Sequence, residues 1–595
     1  MPATLRRVRL HDRIPHRPPV HRRPDHPGVR RLQRDHEDHH RQVDGAAVSA
    51  PVGWPEHLPA QLDIPDSTVL AVLAGSARRY QDRPALRFAD AELSFARLHQ
   101  RACGIGQLLA DAGIGRGGMV AIHLGNGLDY PLCYFGILLS GAAAAPLSPM
   151  LTPADTARQL ADSGARAIIT DAAGDPLSGT GRDGVVRLVL LDEDAQPARR
   201  ITIGAPAAAD PPPVRLTGDD TAHLVFSGGT TGRPKAVVIS HRNLLAETVQ
   251  YACWRTGAVP GTDDEGGIVL RPVPGDFLLR PGEATALTAA PLFHSMGLVG
   301  LSQHVASGTT LVTMPRFEPH QFLDLVEAYQ VEHLLGAPSM FHAILECPTL
   351  AGRDLRSVRA IGCASAPVPV PLTQRLEAVF SNARVRQSYG LTEATLVATA
   401  PPYTESAPDR FDSCGVPLPG TEVSVRDADG NPVPDGTVGE LWIRGPQVSA
   451  GYLNRPEETA ATFVDGWLRT GDLGRRDADG YLAIVGRIKD MLIYKGYNVY
   501  PRELEEIMLQ HECVAHAAVV GRPDEHAGEI PVGFVVLRTP CQPDEVMAFV
   551  NAQVAPVKRL RELHVVSTLP LSGVGKILKT ELRAMLDRIP PTVTA

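Results

Sequence analysis

The feature that most constrains the fold is an alternation of short apolar runs with longer amphipathic segments, which begins near Asp66. The runs Met119–Leu124, Ala143–Pro146 and Ala167–Thr170 have the length and composition of buried strands. The segments between them carry apolar residues at helical spacing. Strands that alternate with helices pair in parallel and have both faces covered, so this pattern predicts an α/β fold with buried, largely parallel sheets.

The pattern changes twice in the second half of the chain. Between Gly415 and Gly486 the dipeptide Asp-Gly recurs, which is typical of hairpin turns and predicts an antiparallel β-subdomain. After Lys489 the helix and strand signals become those of a compact α+β unit, which places a domain boundary near residues 487–490. The total length of 595 residues also exceeds what one core usually supports.

Residues 1–48 differ from the rest of the chain. Arginine, histidine, proline and aspartate dominate there, and no apolar period survives. Such a segment cannot bury enough surface to fold, so a disordered tail is expected. A basic arm for nucleic acid or metal is the alternative, which the mixed charge and the absence of aromatic residues disfavour. We expect a chain that begins near Ala50 to keep full activity.

Composition narrows the function classes. The net charge of −8 argues against a general nucleic-acid binder. No secretory signal is visible, and the longest apolar stretch, Tyr130–Leu147, is interrupted by Gly and Pro, which favours a buried helix and strand over a membrane span. The eight scattered cysteines contain no C-x-x-C pair and indicate neither a zinc nor a disulfide framework. We expect a cytoplasmic enzyme without stable membrane insertion.

One glycine-rich segment, Phe226-Ser-Gly-Gly-Thr-Thr-Gly-Arg-Pro-Lys-Ala236, lies between two apolar runs and predicts strand–loop–strand. Its glycines let backbone N–H groups turn inward, and its hydroxyls and cations suit an anion with several oxygens, such as a polyphosphate. It is not a Walker A loop, since Pro234 precedes the lysine and β-branched residues follow. Taken alone, an ordinary surface turn is equally compatible with it.

Four further residues have chemical potential but also ordinary explanations. Glu393, in Tyr389-Gly-Leu-Thr-Glu393, suits a helix-capping acid. His294, in Pro291-Leu-Phe-His-Ser-Met-Gly297, suits a satisfied polar residue. Asp472 in Gly466–Asp472 suits a turn, and Lys576 suits a solvated surface lysine.

The order of these motifs resembles that of the adenylate-forming superfamily, which includes acyl-CoA synthetases, coumarate-CoA-ligase-like enzymes, peptide-synthetase adenylation domains and firefly luciferase. The resemblance covers roughly Ser67 to Arg583. It implies a large AMP-binding N-terminal domain over residues 49–488, built of two doubly wound α/β subdomains and the antiparallel β-subdomain. A small mobile α+β C-terminal domain over residues 489–595 would carry the catalytic lysine, Lys576.

The resemblance also implies roles for individual residues. Lys576 would bridge the carboxylate and the α-phosphate, His294 would gate the acid pocket or contact the carboxylate, and Thr231 would assist as a catalytic group. Glu393 and Thr231 would bind Mg²⁺, and Asp472 and Arg487 would hold the ribose. The remaining nucleotide-binding residues would be Ser227, Gly228, Thr230, Gly232 and Lys235 at the phosphates and Gln387, Ser388, Tyr389, Gly390, Leu391 and Thr392 around adenine and the α-phosphate.

The second half-reaction would use a hinge at Lys489 and a pantetheine tunnel bordered by Gly496. The resemblance thus implies an ATP- and Mg²⁺-dependent acid–thiol ligase that converts a carboxylic acid, expected to be a fatty acid, into acyl-CoA through an acyl-adenylate. Alternatives are an acyl-AMP ligase that loads a carrier protein, an aryl-CoA ligase, and a catalytically silent binding protein. The acid pocket is expected between Trp254, His294–Leu301, Gly336–Phe341 and Gly362–Ser365.

Overall fold

The structure is a computed structural model that describes residues 51–170, 186–189 (backbone only), 208, 210–227 (227 by its backbone only), 234–366, 368–571 and 576–589. The predicted tail at 1–48 and the residues 228–233 of the glycine-rich segment lie outside the described residues. Among the described residues, no helix is both long enough and apolar enough to cross a membrane.

The helices are α1 Val69–Tyr80, α2 Phe95–Asp111, α3 Asp129–Leu139, α4 Pro153–Ser163, α5 His241–Thr256, α6 Ser295–Ser307, α7 Pro319–Ala328, α8 Pro338–Leu345, α9 Val370–Val379, α10 Pro456–Thr462, α11 Pro501–Met508, α12 Pro543–Gln553 and α13 Lys579–Leu586.

The strands of the first half are β1 Pro84–Phe88, β2 Ala91–Ser94, β3 Met119–His123, β4 Ala143–Pro146, β5 Ala167–Thr170, β6 Val186–Val189, β7 Thr221–Ser227, β8 Lys235–Ser240, β9 Ala258–Thr262, β10 Ile268–Pro272, β11 Thr285–Thr288, β12 Thr310–Thr313, β13 His333–Gly336 and β14 Ala360–Cys363. Those of the second half are β15 Arg384–Gln387, β16 Tyr389–Gly390, β17 Val397–Ala400, β18 Val416–Pro417, β19 Glu422–Arg426, β20 Gly439–Arg444, β21 Phe463–Val464, β22 Trp467–Arg476, β23 Leu482–Arg487, β24 Leu492–Tyr494, β25 Tyr497–Val499, β26 Val514–Asp524, β27 Gly528–Leu537 and β28 Glu562–Val565.

Two mainly parallel sheets form the centre of the molecule. One has the strand order β6-β5-β3-β4-β7-β8 and the other β15-β14-β13-β11-β12-β1-β2. Each is parallel except at one edge, where β7 pairs with β8 and β1 with β2 in antiparallel fashion. Strands β3, β4 and β5 are almost entirely buried apolar runs, as expected where both faces of a parallel sheet are covered. The predicted α/β class with doubly wound sheets is confirmed.

An antiparallel sheet follows, with the order β19-β20-β22-β21 and with β23 paired to β22. The Asp-Gly turns of the sequence lie at its hairpins, as predicted. A shorter sheet, β16-β17-β18, connects it to the end of β15. These strands bring the segment after Gln387 next to the β22–β23 hairpin. The predicted motifs that contain Glu393 and Asp472 are thereby placed side by side.

The C-terminal lobe, residues 492–571 and 576–589, has its own sheet, β25-β24-β27-β26, with β28 parallel to β27. Helices α11, α12 and α13 pack on this sheet. The Arg502 side chain donates from Nη1 to the carbonyl of Ile484 at 2.6 Å, so α11 is bonded to the last strand of the preceding sheet. The sheet and its three helices show the expected α+β composition of this lobe.

One segment is more regular than its sequence indicated. The stretch 257–282, rich in Gly, Asp and Pro, contains the antiparallel hairpin β9–β10. Ile268 and Leu270 are buried in the main core, and Asp263 pairs with Arg78 of α1 at 2.7 Å. The hairpin therefore packs against α1 as part of the fold.

Candidate active site

The hairpin β7–β8 flanks the glycine-rich segment. Ser227 and Lys235 are opposite one another in its register, so the strand–loop–strand prediction holds for both flanks. The intervening Gly228, Thr230, Thr231 and Gly232 lie outside the described residues, as does the Ser227 side chain. The ammonium group of Lys235 lies 4.8 Å from the centre of the Tyr452 ring, a cation–π distance.

Tyr452 is a functional residue that the sequence reasoning missed. The segment Gly451–Leu453 runs beside β8, with Val238 N–H donating to Gly451 O at 3.0 Å and Leu453 N–H to Ala236 O at 2.8 Å. Tyr452 thereby reaches Glu393, and its hydroxyl donates to Glu393 Oε1 at 2.9 Å. One tyrosine connects the predicted phosphate-binding lysine to the predicted Mg²⁺ ligand.

The predicted adenine and metal residues follow β15 directly. Tyr389 and Gly390 form the short strand β16, and Thr392–Ala394 form a single 3₁₀ turn that carries Glu393. Thr392 Oγ1 lies 3.3 Å from Ser295 Oγ at the start of α6. Leu391 is half-buried and packs against the core of the antiparallel sheet, which supports this turn.

Asp472 and Arg487 are directly opposite each other on β22 and β23. Arg487 Nε donates to Asp472 Oδ1 at 2.8 Å, and the Tyr389 hydroxyl donates to Oδ2 at 2.8 Å. Asp472 is only 3% exposed. Its carboxylate raises the pKa of Arg487, and burial followed by the Asp472 charge raises the pKa of Tyr389. Both donors therefore keep their protons beside the carboxylate.

Lys576 comes from the C-terminal lobe into the same cleft. Its side chain retains accessible surface, yet the surrounding protein lowers its pKa by desolvation and Arg487 lowers it further, whereas Asp472 and Glu393 raise it. Lys489 has a pKa lowered to about 8, mainly by desolvation and then by Arg487. The cleft therefore concentrates positive charge around two carboxylates.

His294 caps α6, where its Nδ1 accepts from Met296 N–H at 3.4 Å. Burial, and then the charge of Lys576, lowers the pKa of His294 to about 4. The ring is thus neutral at pH 7, with its proton on Nε2 because Nδ1 is an acceptor. Met296 in turn receives a contact from Ser365 Oγ at 3.2 Å, and Ser365 has a left-handed φ of 73°.

This contact joins two of the segments predicted to form the acid pocket, His294–Leu301 and Gly362–Ser365. Trp254 does not share that space. It has no accessible surface, packs edge-on against Trp54 at 4.8 Å between ring centres, and donates from its indole nitrogen to Pro401 O. A side chain without accessible surface cannot line a cavity, so Trp254 belongs to the core.

Three further predicted residues have different surroundings. Gln387 ends β15, and within the described part of the chain its buried Oε1 accepts no hydrogen bond. Ser388 Oγ lies 3.3 Å from the hydroxyl of Tyr251, and its N–H donates to Cys363 O. Gly496, with φ of 81°, is in the β24–β25 turn, where the neighbouring Lys495 N–H donates to Ala527 O.

Family comparison agrees with this geometry. Residues 73–453 match the AMP-binding enzyme family, and residues 503–576 match the AMP-binding enzyme C-terminal domain. The chain belongs to the AMP-binding enzymes. The matched regions include Lys235, Glu393, Tyr452 and Lys576, which the structure brings to one cleft.

Curated relatives and solved structures extend over most of the chain. The rice protein 4-coumarate–CoA ligase-like 6 is 38% identical over 80% of this chain and 79% of its own length. The long-chain-fatty-acid–CoA ligase of Yersinia pestis is 32% identical over 89% and 96%, respectively. The structure of O-succinylbenzoate coenzyme A synthetase from Bacillus subtilis, in complex with ATP and magnesium ion, is 27% identical, with a TM-score of 0.71 over 86% of this chain and 99% of that one.

These comparisons confirm the predicted superfamily and fold class. They also confirm the predicted enzyme class, an AMP-forming acid–thiol ligase, while the acid stays open. The individual roles predicted for the site residues are not tested by them and are treated as proposals.

Proposed function

We propose that this enzyme activates a carboxylic acid with ATP to an acyl-adenylate and pyrophosphate, and then transfers the acyl group to CoA with release of AMP. The observation that carries the proposal is the position of Lys576, a residue of the C-terminal lobe, among Asp472, Arg487, Glu393 and His294. Attack of a carboxylate on the α-phosphorus brings anions together, so a cleft that supplies fixed cations lowers the barrier.

Local geometry supports the roles proposed for the described residues. Asp472 has both oxygens oriented by donors, and its remaining lone pairs suit the ribose hydroxyls. Lys235, held over Tyr452, suits the outer phosphates together with the proposed loop ligands Ser227, Gly228, Thr230, Thr231 and Gly232. Lys576 would contact the α-phosphate and the acid, and neutral His294 would donate from Nε2 to the acid carboxylate.

Glu393 fits a magnesium site. Tyr452 holds its Oε1, which in the described part of the chain leaves Oε2 for a cation, and Mg²⁺ prefers carboxylate and phosphate oxygens. Bound there with Thr231, Mg²⁺ would neutralise phosphate charge. The fixed Glu393 turn, anchored by Ser449 N–H donating to the Glu393 carbonyl at 2.9 Å, supplies the positioning.

For the second step we propose that residues 489–595 act as a mobile domain on the N-terminal domain of residues 49–488, with Lys489 at the hinge and Gly496 beside the thiol path. The relatives' names include fatty-acid and coumarate ligases, so a fatty acid is proposed first and an aryl acid second. A carrier protein is the alternative acceptor. A cytoplasmic location stays a prediction.

The test is a panel of fatty, aromatic and branched acids, with pyrophosphate release measured with and without CoA. We expect at least one acid to give AMP, pyrophosphate and acyl-CoA in equal amounts. Acyl-adenylate that accumulates without thioester would refute CoA as the acceptor and favour a carrier protein. Absence of pyrophosphate release with every acid would refute the activity itself.

A further inference from the structure

Two cysteines that are distant in sequence meet in the C-terminal lobe. Cys513 immediately precedes β26, and Cys541 lies between β27 and α12. The thiol sulfurs of both and a ring nitrogen of His511 all lie within 4.8 Å of one another. In the described part of the chain, no other set of three histidine, cysteine or acidic side chains meets this condition.

Glu545 adjoins this set. It lies four residues after Cys541, in the first turn of α12, and its Oε2 accepts a hydrogen bond from Cys541 Sγ at 3.1 Å. Two thiols and one imidazole therefore surround a single point, and a carboxylate lies against one of the thiols. Cys513 is 9% exposed, while His511 and Cys541 are half-buried, so the point is shielded but reachable from solvent.

The backbone holds these donors close together. Val514 and Leu537 are paired in the register of β26 and β27, and Arg538 N–H donates to Cys513 O at 2.7 Å. The His511 ring packs edge-on against Phe549 of α12, with 5.0 Å between ring centres. The two loops that carry the cysteines are therefore attached to the same sheet end and the same helix.

The separations suit a tetrahedral cation after a small contraction. Zinc binds sulfur at about 2.3 Å and imidazole nitrogen at about 2.0–2.1 Å, which puts neighbouring donor atoms roughly 3.3–3.8 Å apart. A contraction of about 1 Å from the 4.8 Å limit is within the reach of side-chain rotation. The hydrogen bond from Cys513 N–H to His511 Nδ1, at 3.4 Å, is long and therefore weak, so its loss on metal binding would cost little free energy.

We propose that His511, Cys513 and Cys541 form a structural binding site for a borderline-soft divalent cation of the zinc type, which Glu545 would complete by rotation of its side chain away from Cys541. Four protein donors would then form a tetrahedral shell, which is the pattern of a structural rather than a catalytic zinc. The ion would tie the loop before β26 to the start of α12. That loop adjoins Arg538, whose guanidinium lies 3.8 Å from Glu346 of the N-terminal part.

The experiment uses the full chain, purified without an affinity tag, reduced with a phosphine and stripped with a chelator. Zn²⁺ or Co²⁺ is added, unbound metal is removed, and bound metal is measured by mass spectrometry. We expect wild type to hold one equivalent more than Cys541→Ser and to show a thiolate-to-cobalt charge-transfer band. The band distinguishes this site from metal held by histidines of residues 1–48, which lack cysteine.

Matched variants complete the design. Cys541→Ser should weaken binding by more than the roughly 10–100-fold typical of outer-shell changes, and Glu545→Gln, which removes the charge but keeps one oxygen donor, should weaken it by a smaller factor than Cys541→Ser. Cys347→Ser is the control, because Cys347 also contacts a histidine, His320 Nδ1 at 3.6 Å, without such a set of donors. It should leave zinc content and the cobalt band unchanged.

Three results would overturn the proposal. They are wild type without a cobalt–thiolate band, equal metal content in wild type and Cys541→Ser, and reduced protein that re-forms a Cys513–Cys541 disulfide in air while binding no metal. A zinc-dependent rise in the melting temperature of wild type that is absent in Cys541→Ser would support the structural role.

Discussion

Removal of the Lys576 ammonium should separate the two half-reactions. Lys576 is near Asp472, Glu393, Arg487 and His294, and it belongs to the C-terminal lobe, shortly before α13. The substitution Lys576→Ala leaves the pair Asp472–Arg487, proposed to bind ribose, intact. It therefore tests the proposed α-phosphate contact without dismantling the proposed nucleotide site.

The magnitude follows from the charges in the cleft. Loss of one preorganised donor to a developing charge costs about 100–1000-fold in kcat, or ~2.7–4 kcal/mol. Arg487 and Lys489 remain to offset part of the phosphate charge, so a complete loss is not expected. We expect pyrophosphate release to fall by about 100–1000-fold, with a smaller change in the KM for ATP.

The assay follows both steps separately, adenylation by pyrophosphate release and thioester formation from supplied acyl-adenylate and CoA. Lys558→Ala is the control, because Lys558 forms a partly exposed pair with Glu503 at 2.8 Å in the same lobe, and such pairs contribute about 0–1 kcal/mol. Thioester formation should be nearly unchanged in both variants. An equal loss of both steps in Lys576→Ala would refute the proposed role.

Three further outcomes are expected. Asp472→Asn, measured at saturating ATP, should move the alkaline limb of pyrophosphate release to lower pH, because the Asp472 charge raises the pKa of Lys576; an unchanged limb would contradict this. Burial lowers the pKa of His223 to about 3, below the usual value near 6.5. Its contribution to the free energy of unfolding is therefore complete above pH 6.5 and is lost as pH falls toward 3. In urea titrations, the free energy of unfolding should fall between pH 7 and pH 5 by about 2 kcal/mol less in His223→Gln than in wild type. An identical fall in the two proteins would count against this assignment. A chain beginning at Ala50 should keep the full rate of pyrophosphate release, and a substantial loss would show that residues 1–48 take part.

The order of helices and strands was predictable because buried parallel strands and amphipathic helices have distinct local patterns. Strands such as β4 and β5 were located to the residue, since an apolar run bounded by turns has little freedom. The hairpin β9–β10 was not foreseen. Its strands contain Pro260, Gly261 and Pro272, which local propensity assigns to irregular structure, and packing against α1 overrides that propensity.

The same distinction, between signals that are local in the sequence and contacts between distant segments, applies to the site residues. Asp472 and Glu393 could be proposed from the sequence because each belongs to a continuous motif. Tyr452 was missed because it reaches Glu393 only through the pairing of its segment with β8, a contact between distant parts of the sequence. Cys513 and Cys541 were set aside for the same reason, since spacing along the chain does not show that the ends of β26 and β27 adjoin.

The charges of the cleft would couple the position of the lobe that carries Lys576 to the binding of ATP. Arg487 lowers the pKa of both Lys576 and Lys489, and Lys576 also lowers that of Lys489, so placing Lys576 there costs free energy that Asp472 and Glu393 only partly offset. Under the proposed function, bound ATP would add negative charge that reduces this cost, and release of pyrophosphate would remove part of that charge again. We call the lobe docked when it places Lys576 in the cleft. By linkage, if ATP binds more tightly to the docked state, bound ATP shifts the equilibrium toward that state by the same factor. Under the proposed function, departure of pyrophosphate therefore weakens the docked state at the moment when the thiol needs access.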